Sequence, residues 1–104
     1  MLRPSILLLA LISGSSLAAA FGDAQQGKIK SPSCGFCHGT NGIASNSEYP
    51  NLAGQDPQYL FNAMKAYKND QRTGPLAEMM KAQLSRLNDD DLRDVAAFYA
   101  EQAK

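Results

Sequence analysis

The sequence predicts a small all-α domain, and three observations predict it. Apolar residues in the second half recur at helical spacing, and nothing after the first twenty residues alternates with the period of a strand. The two clearest periodic stretches are preceded by residues suited to cap a helix start. Both cysteines and the single histidine of the 104-residue chain fall within Cys34-Gly35-Phe36-Cys37-His38, so one compact site organises the rest.

Not all of the chain belongs to that domain. Residues 1–20 read as a cleaved signal peptide. Arg3 gives a short positive start, and Ile6 to Ile12 form an apolar run too short to span a bilayer. Leu17-Ala18-Ala19-Ala20 supplies a small-residue cleavage pattern, with cleavage expected after Ala20. An uncleaved anchor is the alternative, but Ser13 to Ser16 continue an apolar helix poorly. Export implies the periplasm or an equivalent oxidising space. Residues 21–104 then form one domain, with no second apolar segment long enough to span a membrane. The whole chain carries ten basic and ten acidic residues, and loss of Arg3 leaves nine against ten. No basic patch points to nucleic acid. A domain this short builds a limited core and gains from a metal, disulfide or cofactor.

The pattern C-x-x-C-H is the attachment signature of c-type haem. Two thiols add across the two vinyl groups of one porphyrin and form two thioethers. The adjacent histidine then lies where it can ligate the iron. Cys34 and Cys37 are therefore the candidate attachment residues, and His38 is the candidate iron ligand. Three alternative readings fit less well. A thioredoxin-like pair normally sits beside a strand–helix pattern, which is lacking here. Zinc asks for about four ligands, and only three are at hand. A plain structural disulfide would leave His38 incidental.

The elements follow in order. Phe21 to Lys30 reads as a short helix started by Asp23, with Gly27 either a weak point or a place of close approach. Pro32 ends it. Gly39 to Glu48 is polar and irregular, and Tyr49 to Gln55 is turn-rich. Asp56-Pro57 opens the next helix as N-cap and N1, and Tyr59, Leu60, Ala63, Met64 and Tyr67 share its apolar face. That helix stops near Asn69. Leu76 to Leu87 is a third helical stretch, with Leu76, Met80, Leu84 and Leu87 on one face. Asn88 caps the last helix ahead of Asp89, Asp90 and Asp91, where negative charge suits the dipole. Leu92, Val95, Ala96 and Tyr99 form its buried stripe, widened by Phe98.

Several blocks in order are similar to a small class I cytochrome c of the monohaem c4/c553 type. They are Gly22-Asp23-Ala24, Gly27-Lys28, the haem motif with Gly39, and Tyr49-Pro50-Asn51-Leu52-Ala53-Gly54-Gln55 with Gln58-Tyr59-Leu60. Arg72, Met79-Met80, Leu87 to Leu92 and Ala96-Ala97-Phe98-Tyr99 complete the resemblance, which covers residues 22–102. Pro32 and the bulky Phe36 depart from the usual pattern. The resemblance implies about four short helices and loops wrapped around one covalently bound haem c. It implies His38 and a distal methionine as the axial ligands of iron, and it selects Met80 ahead of Met79 and Met64. It implies that the Pro50 carbonyl accepts from His38, that Leu52 packs on the porphyrin, and that Arg72 approaches a propionate. Gly27 would lie where the first helix crosses the last, against Phe98 or Tyr99.

The function so implied is single-electron transfer between redox protein partners, a donor and an acceptor met transiently. The protein would then be a carrier, with no catalytic residue. Two functions compete with it: an enzyme or ligand sensor with a vacatable sixth position, and a haem subunit docked permanently on a dehydrogenase or oxidase.

Overall fold

The structure is a computed structural model and describes residues 21–104. The expected signal peptide, residues 1–20, lies outside the described residues. Five helices occur among them: α1 Ala24–Lys30, α2 Gly35–His38, α3 Pro57–Lys68, α4 Pro75–Leu84 and α5 Asp89–Ala100. No strand occurs among the described residues. The count exceeds the expected four because the haem motif itself closes one helical turn, α2.

Local chemistry sets the helix ends. Asp23 caps α1 by accepting from the backbone N–H of Gln25 and Gln26. Asp56 caps α3 through Tyr59 N–H at 2.8 Å, with Pro57 at the first position. At α5, Asn88 and Asp91 form a reciprocal capping box. Each pairing satisfies donors that a helix start otherwise leaves without an intrahelical partner.

The centre of the fold is α5. It buries Leu92, Val95, Ala96, Ala97, Phe98 and Tyr99. Helices α1 and α3 both pack against it, and α4 packs on α3. Gly27 permits the crossing of α1 and α5. A Cβ at Gly27 would drive into the Asp94 carbonyl and lie 2.8 Å from Phe98 Cβ. The close-approach reading of Gly27 is therefore the correct one, and the neighbour is Phe98. Lys30 reinforces the crossing by pairing with both Asp91 and Asp94 at 2.7 Å.

Three expectations about faces need correction. Tyr59 is half exposed, whereas helical spacing predicts it on the buried side of its helix. The covered side of α3 runs instead through Leu60 and Phe61, and Phe61 meets the Phe21 ring at 5.8 Å. Leu76 is also half exposed, while Ala77 is buried. The first turn of α4 thus turns a small residue inward. Helix α4 also ends at Leu84, before a turn in which Leu87 N–H donates to the Leu84 carbonyl at 3.0 Å. Leu87 follows that turn rather than the helix.

Candidate functional site

The site begins at the turn that follows α1. Ser31 closes α1, and the backbone N–H groups of Cys34 and Gly35 both donate to its carbonyl. Helix α2 follows and carries Cys34 at its N-cap, then Cys37 and His38. Both cysteines are free thiols and both are half-buried. Burial pushes the Cys34 thiol up, which favours the neutral form there.

His38 is 5% exposed. Its Nδ1 lies 2.9 Å from the Pro50 carbonyl oxygen. A carbonyl can only accept, so Nδ1 carries the proton and donates. With Nδ1 so engaged, Nε2 is the nitrogen left for a metal. The Tyr49 ring stands edge-on to the imidazole, 6.4 Å away. Pro50 is brought to this place by Gly42. The Gly42 carbonyl accepts from Leu52 and Ala53 N–H at 2.7 and 3.0 Å, which folds the loop back over α2. Gly42 has φ +82°, and a Cβ there would lie 3.0 Å from the Tyr99 ring, so no larger residue fits without strain.

The methionines separate by environment. Met79 is 52% exposed. Met64 packs against the core cluster of α3 and α5. Met80 is half-buried on α4. Leu52 is half-buried and lies against the same core cluster. Arg72 is exposed, donates to the Tyr67 hydroxyl at 3.3 Å and rests over the Tyr67 ring. It lines an open cleft with Tyr67, Gly74, Leu76 and Ala77.

The expected residues thus fall into two groups. Cys34, Cys37, His38 and Pro50 are brought together directly. Met80 and Arg72 stand on α4 and after α3, outside that hydrogen-bonded group. One residue that the sequence reading missed links the two halves. The Arg86 guanidinium donates to Ser33 Oγ at 3.1 Å, tying the segment after α4 to the residue before Cys34. Nothing in the local sequence around Arg86 signals a partner 53 positions away.

The donor set fits a porphyrin iron. Two unpaired thiols flank one turn, and a buried histidine has Nδ1 held by the Pro50 carbonyl, which leaves Nε2 for a metal. Among the described residues, no group of three or more His, Cys, Asp or Glu side chains converges as a metal-ion site, so the zinc reading finds no ligand cluster. The Cytochrome c family model matches residues 18–101. Cytochrome c-554(548) of Halomonas halodenitrificans is 43% identical over 81 residues, covering 78% of this chain and 98% of that protein.

The chain belongs to the cytochrome c family.

Family membership brings haem c, iron and electron transfer by a carrier rather than an enzyme. Cytochrome c4 of Pseudomonas aeruginosa is 39% identical over 97 residues, which cover 93% of this chain and 47% of that protein. The crystal structure of reduced recombinant cytochrome c4 from Pseudomonas stutzeri superposes with a TM-score of 0.70 at 35% identity, over 79% of this chain and 46% of that one. The chain therefore spans about half the length of the cytochrome c4 relatives and nearly all of the Halomonas protein. No helix among the described residues of this cytochrome c is long and apolar enough to cross a membrane.

Proposed function

We propose that this cytochrome c, as the domain 21–104 left after removal of residues 1–20, is a periplasmic single-electron carrier. Cys34 and Cys37 would hold one haem through thioethers, and His38 and Met80 would hold its iron. The observation that carries the reading is the 2.9 Å contact between His38 Nδ1 and the Pro50 carbonyl, one residue from a half-buried free thiol. A haem bound there supplies an iron that cycles between ferric and ferrous states.

The chain's own residues do the rest. Cys34 and Cys37 anchor the group at two points of one rigid turn. The Pro50 carbonyl orients the His38 ring and raises the basicity of Nε2, as outer partners of ligating histidines do. The Met80 thioether is soft and uncharged, so it favours the lower charge of the reduced state. Leu52 gives an apolar contact and helps exclude water. Arg72, with its charge exposed on the Tyr67 ring, offers a partner to a carboxylate of the bound group. With His38 and Met80 both holding the iron, electron exchange would demand little rearrangement and no general acid or base. Partners are redox proteins, one donor and one acceptor, met briefly and steered in part by charge.

The test is expression with a haem-attachment system, followed by mass and optical spectrum. The expected mass is that of residues 21–104 plus one haem. A chain without haem, closed by a Cys34–Cys37 disulfide, would overturn the reading.

A further inference from the structure

Helix α4 carries Met80, yet only Ala77 and Leu84 of its residues are buried. Apolar burial therefore holds α4 less firmly than α5, which buries six residues. Two polar ties follow Met80 along the chain. Lys81, the next residue, pairs with Asp70 at 2.6 Å, in the loop that precedes α4. Beyond the helix end, the Arg86 guanidinium donates to Ser33 Oγ at 3.1 Å. The first tie joins α4 to its own preceding loop. The second joins it to the haem-motif segment, 53 positions away.

Both ends of the second tie are built into turns. Arg86 lies inside the turn that Leu87 N–H closes on the Leu84 carbonyl at 3.0 Å, and the Ser85 hydroxyl donates to the Ala82 carbonyl at 2.8 Å. Lys68 Nζ donates to the Leu87 carbonyl and so fixes that turn to α3. Ser33 lies inside the turn that Cys34 N–H closes on the Ser31 carbonyl at 2.9 Å, directly before the first attachment residue. Neither backbone segment can drift alone, so a motion that carries the end of α4 away from the haem motif has to break the Arg86–Ser33 bond. A guanidinium donor makes that bond charge-assisted.

We propose that the Arg86–Ser33 hydrogen bond is a latch that holds the C-terminal end of α4 to the haem-attachment turn, which makes Arg86 and Ser33 positioning residues for the Met80 thioether. The inference rests on the Met80 ligation proposed above. With the latch lost, the end of α4 opens locally more often, and Met80 leaves the iron more often. The core at the α1–α5 crossing is untouched, because neither latch residue belongs to it.

The experiment compares the haem-loaded wild type with Arg86→Ala, Ser33→Ala and the double variant. Mass and near-infrared spectrum come first. A wild type without haem, or a methionine–iron charge-transfer band that survives Met80→Ala, overturns the reading above and this inference together. Otherwise the rate at which carbon monoxide binds the reduced protein is read, because Met80 must leave first. Each single variant is expected to bind about threefold faster, the scale of one exposed hydrogen bond. The double variant is expected to match the singles, since one shared bond is lost only once. Unchanged rates in both singles overturn the latch alone, as do effects that multiply in the double variant. Heating the oxidised protein separates positioning from plain stability. In the variants the charge-transfer band is expected to fade further ahead of the helical circular dichroism than in the wild type, and an unwidened gap overturns the latch. If Arg86→Ala fails to take up haem, Ser33→Ala, which removes one oxygen and no charge, decides on the same two readouts.

Discussion

The crossing of α1 and α5 and the face of α4 that carries Met80 differ in how much protein covers them. At the crossing, backbone lies almost on backbone, with Gly27 against Asp94 and Phe98. Six residues of α5 are buried, and Lys30 spans both aspartates of the neighbouring turn. Helix α4 buries only Ala77 and Leu84, and its Leu76 and Met79 are about half exposed. The first region is complete as protein. The second presents apolar side chains with little protein over them, which is what a helix closing over a large apolar cofactor would present. The contrast assigns stability to the crossing, and the proposed Met80 ligation assigns the tuning of the iron to α4.

The severest way to break that division is Gly27→Val. The added side chain meets backbone that cannot yield, so stability should fall by at least ~2 kcal/mol in chemical denaturation. Haem molecules that do attach should keep an unchanged near-infrared spectrum. Met80→Ala should do the reverse. The methionine–iron charge-transfer band of the oxidised protein should vanish and carbon monoxide should bind the reduced form rapidly, whereas Met79→Ala should leave the band in place. A band that survives Met80→Ala means that another residue closes the iron.

Smaller effects sharpen the same contrast. Asn88→Ala removes half of the capping box at the start of α5 and should cost ~1 kcal/mol in thermal denaturation. The Lys30 network should show itself in acid. Lys30, and then the Asn88 backbone N–H, hold the Asp91 carboxyl below its ordinary range. A carboxyl depressed in the fold contributes stability above its unfolded pKa, near 4, and loses it as pH falls through the lower folded value. Lys30→Met removes the largest cause, so melting temperature measured from pH 6 down to 2 should decline less steeply below pH 4. An unchanged slope would show that the pairs at the crossing do not couple to folding.

The acidic run Asp89 to Asp91 illustrates how far the sequence could be read. Its role at a helix start was legible, because capping is a matter of neighbours a few residues apart. Its pairing was not: Asp89 meets Lys65 at 2.8 Å, and Asp91 meets Lys30. Those contacts exist only because α1 and α3 both pack on α5. Periodicity likewise identified the apolar face of α3 but not how much of it a neighbour would cover, and so Tyr59 was misplaced. At the candidate site, the haem motif was plain from residue order, while Arg86 was invisible.

The sequence by itself determined the attachment chemistry, the helix starts, the buried stripe of α5 and the need for a glycine at position 27 or a weakness there. These depend on side-chain type and on spacings within one or two turns. Only the tertiary structure decided that Ser33 is tied to Arg86, and it settled Gly27 as a contact with Phe98 where spacing left two readings open. Those outcomes depend on how closely elements far apart in the chain approach one another, which close packing fixes and local sequence does not encode.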